Sequence, residues 1–118
     1  MDKSTQEQIK EFWEWCGFKY VRVDDIPWHK KPEDYLTNYW YANNHWVYPD
    51  GSKNKDAPPI DLNNLFKYAV PKLHNDYKIW LTYFPEFDTY NAQIGDSSIS
   101  LKDPALALFW AIWEVIHA

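Results

Sequence analysis

The sequence predicts an α+β fold. A small antiparallel sheet, a β-meander, is flanked by helices in an α-β-β-β-α core, and an N-terminal helix and an aromatic hairpin precede that core. Three observations carry this reading. Residues 103–118 form a helical pattern that is apolar nearly all round. Residues 77–101 alternate in three runs separated by turn residues. A third segment, opened by Asp61, has apolar residues at helical spacing.

The first helix is expected over residues 5–16. Ser4 and Glu7 have the spacing of a capping box. Ile9, Phe12, Trp13 and Cys16 then share one face, and Gly17 supplies the left-handed stop. Residues 18–23 read as a short strand, and residues 24–33, with two prolines, as a loop. Between residues 35 and 48 aromatics dominate: Tyr35, Tyr39, Trp40, Tyr41, Trp46 and Tyr48. Asn43-Asn44 predicts a hairpin turn between strands 39–42 and 45–48, because asparagine tolerates positive φ. Pro49-Asp50-Gly51-Ser52 is a further turn, and the polar residues 52–59 form a linker. The linker divides an aromatic stretch, residues 1–56, from a regular one, residues 57–118.

In the regular stretch Asp61 caps a helix whose apolar face holds Leu62, Leu65, Phe66, Ala69 and Leu73. Pro71 should kink that helix or end its regular part near Val70, since proline removes a backbone donor and crowds the preceding turn. His74 falls at the helix end and Asn75-Asp76 in a turn. Residues 77–84 alternate, with Tyr77, Ile79, Leu81 and Tyr83 on one face and Lys78, Trp80, Thr82 and Phe84 on the other. Strands 87–94 and 98–101 follow, joined at Gly95-Asp96. Asp103 and Pro104 then open the last helix as N-cap and first turn. A helix apolar on every side must be covered on more than one side. It is shorter than the ~20 apolar residues that cross a bilayer. The expected core joins Phe66, Leu73, Ile79, Leu81, Leu108, Phe109 and Ile112. Trp110 and Trp113 either belong to it or form an exposed stripe.

Composition narrows the function. The 118 residues suit a single domain. Residues 1–56 carry 8 Lys/Arg against 10 Asp/Glu, and residues 57–118 carry 4 against 7. No basic stripe is available for a phosphate backbone, so direct nucleic-acid binding is not expected. No membrane span and no leader pattern appear, which points to a soluble, intracellular protein. The lone Cys16 excludes an internal disulfide and reads as a small buried hydrophobe. Asp24, Asp25 and His29 lack the spacing of a metal site. His45 and Asp50 could be an acid–base pair, although a polar hairpin end accounts for them equally. Only Gly17, Gly51 and Gly95 are glycines, so no phosphate-cradling loop exists, and no nucleophile elbow is present. No catalytic residues, metal or cofactor are therefore expected.

The chain is rich in aromatics instead, with eight Trp and nine Tyr. Trp28, Trp40, Trp46 and Trp80 could stack a flat ligand. They could equally pack the N-terminal half against the Trp80 face of the sheet.

Three stretches together resemble a known family. They are Glu11-Phe12-Trp13-Glu14-Trp15-Cys16-Gly17-Phe18, the run from Pro58-Pro59-Ile60-Asp61 through Val70-Pro71-Lys72-Leu73, and the run from Asp103-Pro104 through Ile112-Trp113. They look like the small phage and prophage proteins grouped as the phage ABA-sandwich domain, over residues 11–18 and 46–118. The resemblance implies a layered α/β/α domain of phage origin and no catalytic residues. With the small size, acidic charge and surplus aromatics, it suggests an accessory protein that binds a host or phage protein. Inhibition of a bacterial defence complex, in the anti-CRISPR manner, is the expected role. A nucleotide- or small-ligand-sequestering protein with an aromatic pocket is the alternative, and a hydrolase built on loop Asp and His residues is a third. The expected binding surface is Tyr39, Trp40 and Tyr41, flanked by Tyr35 and Trp46.

Overall fold

A computed structural model describes residues 5–31, 39–73 and 76–117, without the side chain of Tyr41. The fold is α+β, with two small antiparallel three-stranded sheets. The chain forms two compact units, Met1–Ala57 and Pro58–Ala118. Among the described residues no helix is long and apolar enough to cross a membrane. Ser4, Tyr35, His74 and Asn75 lie outside the description.

The N-terminal unit opens with α1 (Thr5–Trp15), whose Phe12 and Trp13 are buried. Gly17 stops it at φ 103°. Phe18 N–H donates to the Trp13 carbonyl at 3.0 Å, and Gly17 N–H to the Glu14 carbonyl at 3.1 Å. This pair of bonds is a Schellman cap, and it needs the left-handed residue that glycine supplies without strain. The cap turns Phe18 inward to 5.1 Å from the Trp13 ring. Cys16 is buried beside it, as its place on the apolar face predicts.

The first sheet has strand order β1 (Lys19–Val21), β2 (His45–Val47) and β3 (Lys53–Asn54). Tyr20 pairs with Trp46 and Val21 with His45, while Trp46 faces Asn54 and Val47 faces Lys53. Alternation sends Tyr20 and Trp46 to one face and Val21, His45 and Val47 to the other. Lys10 of α1 lies 5.4 Å from the Tyr20 ring centre, so α1 covers the Tyr20–Trp46 face. Two 3-10 turns, Val23–Asp25 and Trp28–Lys30, occupy the segment expected to be a loop.

The hairpin is differently placed from the one expected. Tyr39–Ala42 is not a strand but a short helical turn, α2. The Asn43 side-chain amide donates to the Tyr39 carbonyl at 3.0 Å, closing that turn, and Asn44 Oδ1 accepts from Val23 N–H at 2.7 Å. The asparagines thus end a helical turn and tie it to the segment after β1. The β2–β3 hairpin forms instead across residues 49–52, where Gly51 has φ 88° and Asp50 Oδ1 accepts from Ser52 N–H at 2.9 Å.

In the C-terminal unit Asp61 caps α3 (Leu62–Asn64), accepting from Asn64 N–H at 2.8 Å. The helix continues as a π turn, Leu65–Ala69, and a 3-10 turn, Val70–Lys72. Val70 N–H donates to the Leu65 carbonyl five residues back. Pro71 offers no donor to the Lys67 carbonyl and its ring crowds it, so the turn before it widens. This changes the buried face. Leu65 and Ala69 point inward, and Phe66, expected in the core, is 47% exposed.

Strands β4 (Ile79–Phe84), β5 (Thr89–Ile94) and β6 (Ser97–Leu101) form the expected meander, with β5 central. In register, Leu81 faces Ala92 and Ala92 faces Ile99. Helix α4 (Pro104–Ile116) lies on β5 and β6, and its far side meets α3 and the π turn. The central place of α4 explains its composition. Ala107, Leu108, Phe109, Ala111, Ile112 and Trp113 are all buried, so Trp113 is core and not part of an exposed stripe. Leu73 joins this core, whereas Ile79 and Leu81 on edge strand β4 are half-buried.

Asp103 Oδ1 accepts from Ala105 N–H at 2.8 Å and from Leu106 N–H at 3.3 Å. Asp103→Ala is expected to lower stability by about 1 kcal/mol, with Asp103→Asn retaining most of it. Urea melts of the three proteins check this, and equal midpoints would remove the cap from the account.

On the outer face of the second sheet the Asn91 amide donates to Ser98 Oγ at 2.8 Å and to Ser100 Oγ at 2.9 Å. Trp80 stands exposed on that face. At the β4–β5 turn Asp88 takes φ 50° and its carboxylate accepts from the Tyr83 hydroxyl at 2.9 Å. That bond holds the Tyr83 phenol above its ordinary pKa, with a smaller contribution from burial.

Candidate functional site

The face of the first sheet that carries Val21, His45 and Val47 borders a cavity of about 460 Å³. That volume falls within the ~300–1,000 Å³ of small-molecule sites. Val21, His45 and Val47 contribute from the strands, and Lys53 from β3. Asp25, Ile26 and Pro27 enter from the first 3-10 turn and the residues after it, and Lys30 from the second. Trp40 of α2 completes the lining. The position of α2 thus depends on the Asn43 and Asn44 bonds that replace the expected hairpin.

The Trp40 ring centre lies 5.3 Å from the His45 ring and 4.7 Å from the Tyr39 ring, the latter edge to face. His45 is buried, and its Nδ1 is 3.0 Å from the Asn43 carbonyl oxygen. A carbonyl can only accept, so Nδ1 carries the proton and the ring is held in one orientation. Asp50 is not among its partners, which are the Asn43 carbonyl and the Trp40 ring, and the Asp50 carboxylate accepts from Ser52 Oγ at 2.6 Å. The acid–base pair considered from the sequence is therefore not formed.

The expected surface residues separate. Tyr39 is 49% exposed and Trp40 is half-buried at the cavity. Trp46 is only 8% exposed and packs on Tyr20 at 5.1 Å, so it supports the sheet from its covered face instead of flanking a contact surface. Tyr35 and the Tyr41 side chain lie outside the described residues. Of the four tryptophans considered for a stacking pocket, Trp40 lines the cavity. Trp28 is 70% exposed in the 3-10 turn that also carries Lys30, and Trp80 belongs to the second sheet.

Val21, Ile26, Lys30 and Lys53 were not among the sequence candidates. The shared parity of Val21, His45 and Val47 is the one signal that could have found part of the wall, and only once β1 is paired with β2. Of the loop acids, Asp25 lines the cavity. No three His, Cys, Asp or Glu side chains among the described residues come together as a metal cage.

No family model, curated protein or solved structure matches the chain. The resemblance to the phage ABA-sandwich domain rests on its three sequence stretches alone.

Proposed function

We propose that the protein works by binding and not by catalysis, and that its partner is a protein of the host or phage. The observation that carries this is the pair of exposed aromatics beside the cavity, Trp28 and Tyr39. Both follow or precede residues that line it, and large rigid aromatics are the usual anchors of interfaces. The phage-like sequence stretches support inhibition of a bacterial defence complex, in the anti-CRISPR manner, in the bacterial cytoplasm. Affinity capture from host lysate tests the reading. The double variant Trp28→Ala/Tyr39→Ala should lose the captured protein at least tenfold, because anchor residues contribute ~2 kcal/mol or more. Its melting temperature should stay within about 2 °C of wild type, as both side chains are surface-exposed. Undiminished capture by the double variant would refute the assignment of this surface.

The cavity supports a second reading, a protein that sequesters a small ligand. Trp40 and the apolar wall of Val21, Ile26 and Val47 provide the surface on which such a ligand would lie.

A further inference from the structure

We infer that the cavity of the N-terminal unit takes a small planar anion, with its ring against Trp40 and its negative group toward Lys30 and Lys53. This rests on the small-ligand reading and not on the protein contact. The chain is acidic, with formal net charge −5, and residues 1–56 hold more Asp and Glu than Lys and Arg. The cavity reverses that balance. Lys30 and Lys53 line it against the single carboxylate of Asp25. The two lysines come from separate elements, the second 3-10 turn and β3, so their shared placement is produced by the fold and not by a run of sequence.

Neither lysine forms an ion pair with a carboxylate among the described residues, and both are exposed. An incoming anion is therefore met by two exposed ammonium groups. The remaining lining is chemically different. Val21, Ile26 and Val47 form an apolar wall, and Trp40 offers an aromatic face tilted 57° to the His45 ring. Apolar and aromatic surface with a few placed charges is the usual build of a small-molecule site. A flat ring fits the first part and a carboxylate or phosphate the second. Mononucleotides and indole or aryl acids share this chemistry.

The test uses the full chain and three indole probes of nearly equal shape: indole-3-acetate, indole-3-acetamide and tryptamine. Titrations are followed in ¹H–¹⁵N spectra, with the Trp40 indole resonance assigned by its loss in Trp40→Phe. Indole-3-acetate should shift the Trp40 indole and the amides of Val21 and Val47. It should bind about tenfold more tightly than the neutral amide, the difference that one charged hydrogen bond provides, and tryptamine should bind most weakly. In Lys30→Gln/Lys53→Gln the acetate should fall to the affinity of the acetamide, while the acetamide is unchanged. Adenosine 5′-monophosphate against adenosine repeats the contrast with a phosphate. Equal affinity for acetate and acetamide at this cavity would overturn the anion assignment and leave the small-ligand reading standing. Shifts confined to residues outside the cavity, or no shift with any probe, would overturn both.

Discussion

Phe109→Ala is expected to destabilise the C-terminal unit by about 3–5 kcal/mol, the usual cost of deleting a packed aromatic. Phe109 is 1% exposed, and its ring lies 4.8 Å from Trp110 and 6.4 Å from Trp113. Truncation leaves a hole in the helix that joins the sheet to α3, and its neighbours on either side are held in secondary structure that cannot simply collapse inward. Amide exchange is the suitable measurement, because a chain with two compact units need not unfold in one step. Protection in α4 and β5 should fall by at least two orders of magnitude. A loss below about 1 kcal/mol, small for a buried aromatic, would mean that the inward face of α4 has been assigned wrongly.

A loss of similar size, about 3–5 kcal/mol, is expected for Trp13→Ala in the N-terminal unit. Trp13 is fully buried, meets Phe12 edge to face at 5.2 Å, and touches Phe18 across the Schellman cap. The substitution therefore removes both a core ring and the surface on which the cap places Phe18. Phe18 in turn lies 4.8 Å from Tyr48, which begins the turn after β2. Amides of α1 and β2 should lose protection together. Loss confined to α1 would show that the cap, and not a shared core, is what Trp13 supports.

The legible parts of the fold are those set by neighbours in sequence. Asp103-Pro104 and Asp61 announced their helices through capping chemistry, and the alternation of residues 77–84 announced a strand. Gly17 ended α1 where a left-handed residue was required. The effect of Pro71 was legible in kind, but not its consequence for Phe66, because a π turn shifts the angular position of every residue around it. Asn43-Asn44 misled for a related reason. The same side chains that tolerate a β-turn can donate to a helical carbonyl or accept a distant N–H, and Val23 decided between them. The cavity was hardly legible. Trp40 was expected at a binding surface, but Lys30 and Lys53 reach the same space only through the pairing of β1 with β2 and of β2 with β3. Aromatic density drew attention to Trp46, which the strand register turned to the covered face.

The central position of α4 also sets the order in which the C-terminal unit can mature. Every element that α4 joins is synthesised before it. The inward residues of the meander and of the kinked helix, among them Leu65, Ala92 and Ile94, leave the ribosome without the helix that buries them. At ~5–20 residues per second, α4 follows roughly a second or more later. The unit therefore acquires its core only when α4 arrives, and in that interval its strands present apolar surface to chaperones and to neighbouring nascent chains.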